Sequence, residues 1–210
     1  HSIRRRQRQM CIRDRCYGRY AIPAVNVFTM EQVLGLFKAG AQANAPFLVQ
    51  LTPVARNYAS PMMMMAMINA AAKIYPKAIY CVHLDHGNEA HAFDAIKSNQ
   101  YQSVMIDASH DDFENNIKRT SKVVKAAHKS GVFVEAELGV LSGVEDDISI
   151  DEKDSKYTNP SEVAEFVART KCDSIAVAVG TSHGAYKFSG GQGIQFDILK
   201  EIQELSLIHI

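Results

Sequence analysis

The chain has 210 residues, 47% of them hydrophobic and 22% charged, with a formal net charge of zero. That length can bury a sizeable core, and the neutral balance argues against nucleic acid or an acidic membrane as a global partner. No apolar run approaches the roughly 20 residues that span a bilayer, and the four cysteines (Cys11, Cys16, Cys81, Cys172) include no C-x-x-C pair, so Cys81 and Cys172 are expected as buried, reduced thiols of a cytoplasmic protein.

The first segment, HSIRRRQRQMCIRDR, reads at first as a basic arm or transit peptide. MCIRDR (10–15) can be encoded by ATGTGTATAAGAGACAG plus one base, and LSLIHI (205–210) by CTGTCTCTTATACACATC. These strings are reverse complements over their shared length. Inverted copies at both ends resemble a translated transposon-end adapter. Residues 1–15 and 205–210 are therefore expected to be non-native and are set aside from the fold. Residues 16–204 form the expected domain, whose native gene would continue past Glu204. Sequencing of source DNA tests this; a native stop codon directly after Ile210 would refute it.

From Tyr20 onward, strand-like and helix-like segments alternate. Strands are predicted at Tyr20–Val27, Phe47–Leu51, Ile79–Leu84, Ser103–Ile106, Val132–Leu138 and Ser174–Val179. They are short, nearly continuous apolar runs, as parallel strands buried on both faces should be. Helices are predicted at Met30–Ala43, Pro61–Ile74, Glu89–Ser98, Phe113–Lys129, Pro160–Thr170 and Phe196–Glu204. Ser60 and Asn159 suit N-caps before Pro61 and Pro160, and Gly131 suits a helix C-terminus. The four methionines at 62–65 read as core packing.

Six β-α units in order, without G-x-G-x-x-G after the first strand, leave a doubly wound sheet open. A (β/α)8 TIM barrel, incomplete here, fits better. Polar residues collect at the C-terminal strand ends: Asn26, Thr52, Asp85, Asp107, Glu137 and His183. A barrel gathers such ends on its active-site rim. The acidic stretch 139–158 is expected to be a mobile lid or a solvated linker. Gly190, Gly191 and Gly193 are compatible with a phosphate cradle and equally with a flexible turn.

The segment CVHLDHG (81–87) carries the chemistry. Imidazoles at His86 and His183, with carboxylates at Asp107 and Glu137, are donors that a borderline cation such as zinc accepts. Asp107 also reads as a cap for its own loop. Asp85, beside His86, is left for proton transfer. Glu145, on the acidic stretch, can swing over a substrate. His83 shares a face with Asp85 by strand alternation and reads as support.

HLDHG resembles the H-x-D-H-G signature of class II, metal-dependent fructose-bisphosphate aldolases. VEAELGVLSGVE resembles their E-x-E-L-G segment, with Ser142 where a glycine is usual. GTSHGAYK resembles G-T-x-H-G-x-Y-K, and PAVNV their first-strand motif. The resemblance runs in order from about Tyr17 to Glu204. It implies aldol cleavage of fructose 1,6-bisphosphate to dihydroxyacetone phosphate and glyceraldehyde 3-phosphate. It implies zinc on His86 and His183, with Asp107 and Glu137 holding an alternative metal position, a second divalent ion or a monovalent cation. Asp85 would exchange the proton at the C4 oxygen and Glu145 the proton at C3. Asn26, Thr52 (where serine is usual), Gly184 and Lys187 would contact substrate. The parent is expected to be a homo-oligomer, dimer or tetramer, with a phosphorylated sugar as its partner.

No predicted strand carries a lysine, which argues against Schiff-base chemistry. The family's third zinc histidine, in an H-G-G-S-G-like segment, does not appear; His209 lacks the following glycines. The 210-residue chain alone is therefore expected to be inactive. Alternatives are a tagatose 1,6-bisphosphate aldolase, a zinc hydrolase on a barrel, and a noncatalytic binding barrel.

Overall fold

The computed structural model describes residues 20–141, 143–145, 148–150, 156–180 and 193–205. In chain order they form β1 (Ala24–Asn26), α1 (Met30–Ala43), β2 (Phe47–Leu51), α2 (Pro53–Ala59), α3 (Pro61–Ile74), β3 (Tyr80–Gly87), α4 (Glu89–Ser98), β4 (Ser103–Ile106), α5 (Phe113–Ser130), β5 (Phe133–Leu138), β6 (Gly143–Glu145), β7 (Ile148–Ile150), α6 (Pro160–Thr170), β8 (Ser174–Val177) and α7 (Phe196–Leu205). The main sheet runs β1-β2-β3-β4-β5-β8, in sequence order. A doubly wound sheet reverses direction and buries its first strand in the middle. Here β1 lies at an edge and the order never reverses, which is the arrangement of six successive units of a (β/α)8 barrel.

The described residues fall into two compact units, one holding residues up to 104 with 128–132, the other 105–127 with those from 133 on. In the first, β1, β2 and β3 pair in parallel, with Val25 opposite Val49 and Val49 opposite Val82. Phe37, Phe47 and Tyr80 form an aromatic cluster, with centroids 4.7–6.3 Å apart. Gly40 faces this cluster, and a Cβ there would overlap the Phe47 ring. Helix α1 starts with a reciprocal capping box: Thr29 Oγ1 accepts from Gln32 N, and Gln32 Oε1 accepts from Thr29 N at 3.1 Å. Ser60 caps α3 as expected, accepting from Met63 N.

Three sequence expectations change here. β1 is shorter than Tyr20–Val27, because Pro23 accepts from Leu48 N but has no N–H to extend the ladder. Helix α2 adds an element to the predicted set; Thr52 caps it and Pro53 opens it. Of the four consecutive methionines, Met64 and Met65 are buried while Met62 and Met63 are exposed, since a helix turns only part of each revolution to the core.

In the second unit, β5 and β8 pair in parallel, with Glu137 opposite Ala176. Val163, Phe166, Ile175 and Ile202 are buried, and Phe113 packs on Phe166 at 6.1 Å. Asn159 caps α6, accepting from Ser161 N. Gly139, at φ +88°, ends the E-x-E-L-G run. A Cβ there would lie 2.8 Å from Ala178 Cβ, Lys156 O and Thr158 Oγ1, so only glycine fits. The acidic stretch contains an antiparallel pair, β6–β7, and a bridge between Val140 and Lys156. After β8, Gln195 N donates to Val179 O at 2.6 Å, and a Cβ on Gly180 would meet Gly193 O at 2.5 Å.

Cys81 and Cys172 form no disulfide with each other; Cys81 is half-buried, and burial pushes the buried Cys172 up to about 11. No helix among the described residues is long and apolar enough to cross a membrane.

Candidate metal centre and proton-transfer site

Strand β3 continues past its predicted end at Leu84, so Asp85, His86 and Gly87 belong to the strand. Asp85 is buried, and its Oδ1 accepts from Gln50 Nε2 on β2 at 2.9 Å. Gln50 was not singled out by the sequence. Its signal was present: an amide inside the apolar strand FLVQL requires a partner. In the full-length protein, replacing Gln50 with leucine should lower any activity that depends on Asp85 on the order of tenfold, the scale of lost outer-shell support, while leaving metal affinity intact. Steady-state kinetics alongside a metal titration check this.

His83 is fully buried, and its Nδ1 lies 2.9 Å from Ser103 Oγ. Burial, and then the nearby His86, lower its pKa to about 3. An unfolded histidine titrates near 6.5, so the unfolded chain takes up this proton first. The stabilisation from neutral His83 is complete above about pH 6.5 and is lost as pH falls toward about 3. Denaturant midpoints should fall between about pH 7 and about pH 4.5, and His83→Asn should flatten that fall.

His86 has φ +47°, a left-handed conformation that few non-glycine residues adopt. It takes the backbone out of the pleat and frees the imidazole from strict alternation with Asp85. Gly87 and the cap Asn88 follow at once, and Asn88 Oδ1 accepts from His91 N at 3.0 Å.

Asp107 follows β4, and its Oδ1 accepts from Ser109 N and Oγ at 3.1 and 2.8 Å. The loop-capping role expected of it is therefore real. Glu137 is buried in β5, and its carbonyl accepts from Asn116 Nδ2 at 2.9 Å. Asn116 in turn accepts from Thr120 Oγ1 at 3.1 Å. Thr158 joins the ends of β5 and β8; its Oγ1 donates to Leu138 O and accepts from Ala178 N. Asn116 and Thr158 carried no signal in the sequence, because each partner lies about 20 residues or more away.

His86, Asp107 and Glu137 each offer one ligand atom, and these atoms lie within 4.8 Å of one another. One imidazole nitrogen with two carboxylate oxygens suits a borderline divalent cation.

Asn26 is exposed at the end of β1. Thr52 is buried, and its Oγ1 accepts from Ala55 N at 3.2 Å. A hydroxyl that accepts there still has a proton to donate to a substrate. Glu145 ends β6. His183, Gly184 and Lys187 lie outside the described residues, as do Ser142 and the glycines at 190 and 191.

The strand order is that of the (β/α)8 class, and His86, Asp107 and Glu137 form a group that could hold a metal ion. A family model described as fructose-bisphosphate aldolase class-II matches residues 9–210. The chain belongs to the class II fructose-bisphosphate aldolase family. It is 42% identical over 189 residues to the fructose-bisphosphate aldolase of Helicobacter pylori, covering 90% of this chain and 62% of that protein. It is 39% identical over 190 residues to that of Giardia intestinalis, covering 90% and 58%. Among solved structures, a putative fructose-1,6-biphosphate aldolase from Coccidioides immitis matches with TM-score 0.78 at 30% identity, covering 88% of this chain and 64% of that one. The chain thus spans about three fifths of the length of the curated relatives it matches.

Proposed function

We propose that the full-length protein carrying this chain catalyses metal-dependent aldol cleavage of fructose 1,6-bisphosphate, and its reverse, in the cytoplasm. The grouping of His86, Asp107 and Glu137, one residue along from Asp85, carries this reading. His86 holds the catalytic zinc, with His183 as a second ligand. Asp107 and Glu137 hold the metal in an alternative position or bind a further cation. When bound, the zinc supplies Lewis acidity to the substrate's ketone. Asp85, oriented by Gln50, moves the proton at the C4 oxygen. Glu145 moves the proton at C3. Asn26, Thr52, Gly184 and Lys187 bind and orient the phosphorylated sugar. The protein works as a homo-oligomer.

The test is turnover by the full-length protein. Fructose 1,6-bisphosphate should be cleaved to two triose phosphates, the activity should vanish with a chelator, and zinc should restore it. Faster turnover of tagatose 1,6-bisphosphate would reassign the sugar. Failure to bind dihydroxyacetone phosphate would sink the aldolase reading.

A further inference from the structure

Arg56 lies in α2 with only 6% of its side chain exposed, whereas its ion-pair partner Asp94, on α4, is 65% exposed. Nη2 donates to Asp94 Oδ2. The guanidinium carbon stands 5.7 Å from the centre of the Tyr101 ring, within cation–π range. Among the described residues, Arg56 Nε and Nη1, the Tyr101 hydroxyl and His91 Nδ1 are buried without a hydrogen-bond partner. Burial holds Tyr101 above, and His91 below, its ordinary titration range, so neither adds charge. A guanidinium buried with one carboxylate and one aromatic face is a costly way to gain stability, and an apolar residue would fill the space more cheaply. What the charge fixes is geometry.

The two helices it joins each begin beside a site residue. Helix α2 starts directly after Thr52, and Arg56 N donates to Thr52 O at 3.0 Å. Helix α4 starts directly after Asn88, two residues beyond His86. We infer that Arg56 is a positioning residue: by tying α2 to Asp94 of α4, it fixes the cap at Thr52 and the strand end at His86 relative to each other. This rests on the metal reading of His86 given above.

The test uses the 210-residue chain, Co2+ as the probe metal and amide hydrogen exchange without metal. The variants are Arg56→Met and Asp94→Ala; the second changes an exposed side chain, so it keeps the test alive if the first does not fold. Both should speed exchange at the cap-bonded amides of Ala55 and His91 about tenfold, with no change at Val123 in α5. Both should weaken Co2+ binding on the order of tenfold and alter its visible spectrum at saturation. The double variant should cost no more than Arg56→Met alone. Unchanged exchange at both caps overturns the inference. So does an unchanged saturated spectrum, which would mean the pair only stabilises. If the wild-type chain takes up no Co2+ while the full-length protein does, the metal arm is read on the full-length protein; if neither does, the metal reading of His86 falls, and the exchange arm decides whether the pair fixes the caps.

Discussion

Replacing His86 with alanine should weaken divalent-metal binding at least about 100-fold, beyond the loss from an outer-shell change. His86 supplies the one nitrogen donor among the three described ligand atoms. Without it, only two carboxylates remain among the described ligand atoms, a set suited to harder cations such as magnesium or calcium rather than zinc. Competition against a chromophoric chelator reads the affinity directly. The backbone complicates alanine, because residue 86 sits at φ +47°. Alanine pays roughly 1–2 kcal/mol there, while glycine does not. His86→Gly should therefore lose metal as fully as His86→Ala and melt at a higher temperature than it. Metal affinity close to wild type in both variants would remove His86 from the site.

In the full-length protein, with fructose 1,6-bisphosphate as the proposed substrate, Asp85→Asn should lower turnover by about 10²–10⁴-fold, the usual contribution of a positioned proton-transfer group. The substitution is isosteric, and an asparagine carbonyl can still accept the bond from Gln50 Nε2, which here reaches Asp85 Oδ1 at 2.9 Å. Geometry is kept and only the exchangeable proton is lost. The fall should appear in kcat, with metal affinity and dihydroxyacetone phosphate binding changed little. A variant that turns over at the wild-type rate would assign the proton step elsewhere. Gln50→Leu makes a graded companion, since it keeps the carboxylate but releases its orientation.

The elements were legible where local chemistry decides them. Ser60 and Asn159 announce helix starts that the structure keeps. The runs FLVQL and SVMI stand as predicted because no proline or glycine interrupts them. The motif residues Asp85, His86, Asp107 and Glu137 could be read because they sit on or just after successive strands. Their supports could not. Gln50 meets a partner 35 residues away, Arg56 one 38 away, and Asn116 one 21 away. A polar residue in an apolar run shows that a partner must exist, but only the folded chain shows which one. Helix α2 was missed for a different reason. Its seven residues are too few for a clear 3.6-residue period, so Thr52 and Pro53 were its only local signals.

At the end of β8, the chain leaves at Gly180 and is back beside it by Gly193, where their backbones touch. A segment whose two stems already meet is a cassette. Residues 181–192, which hold His183 and Lys187, could be excised and replaced by a short bridge while β8 stays paired with β5 and α7 stays packed on α6. Such a chain should keep its β5–β8 pairing, and it would separate what this stretch does for ligand binding from what the rest does for folding.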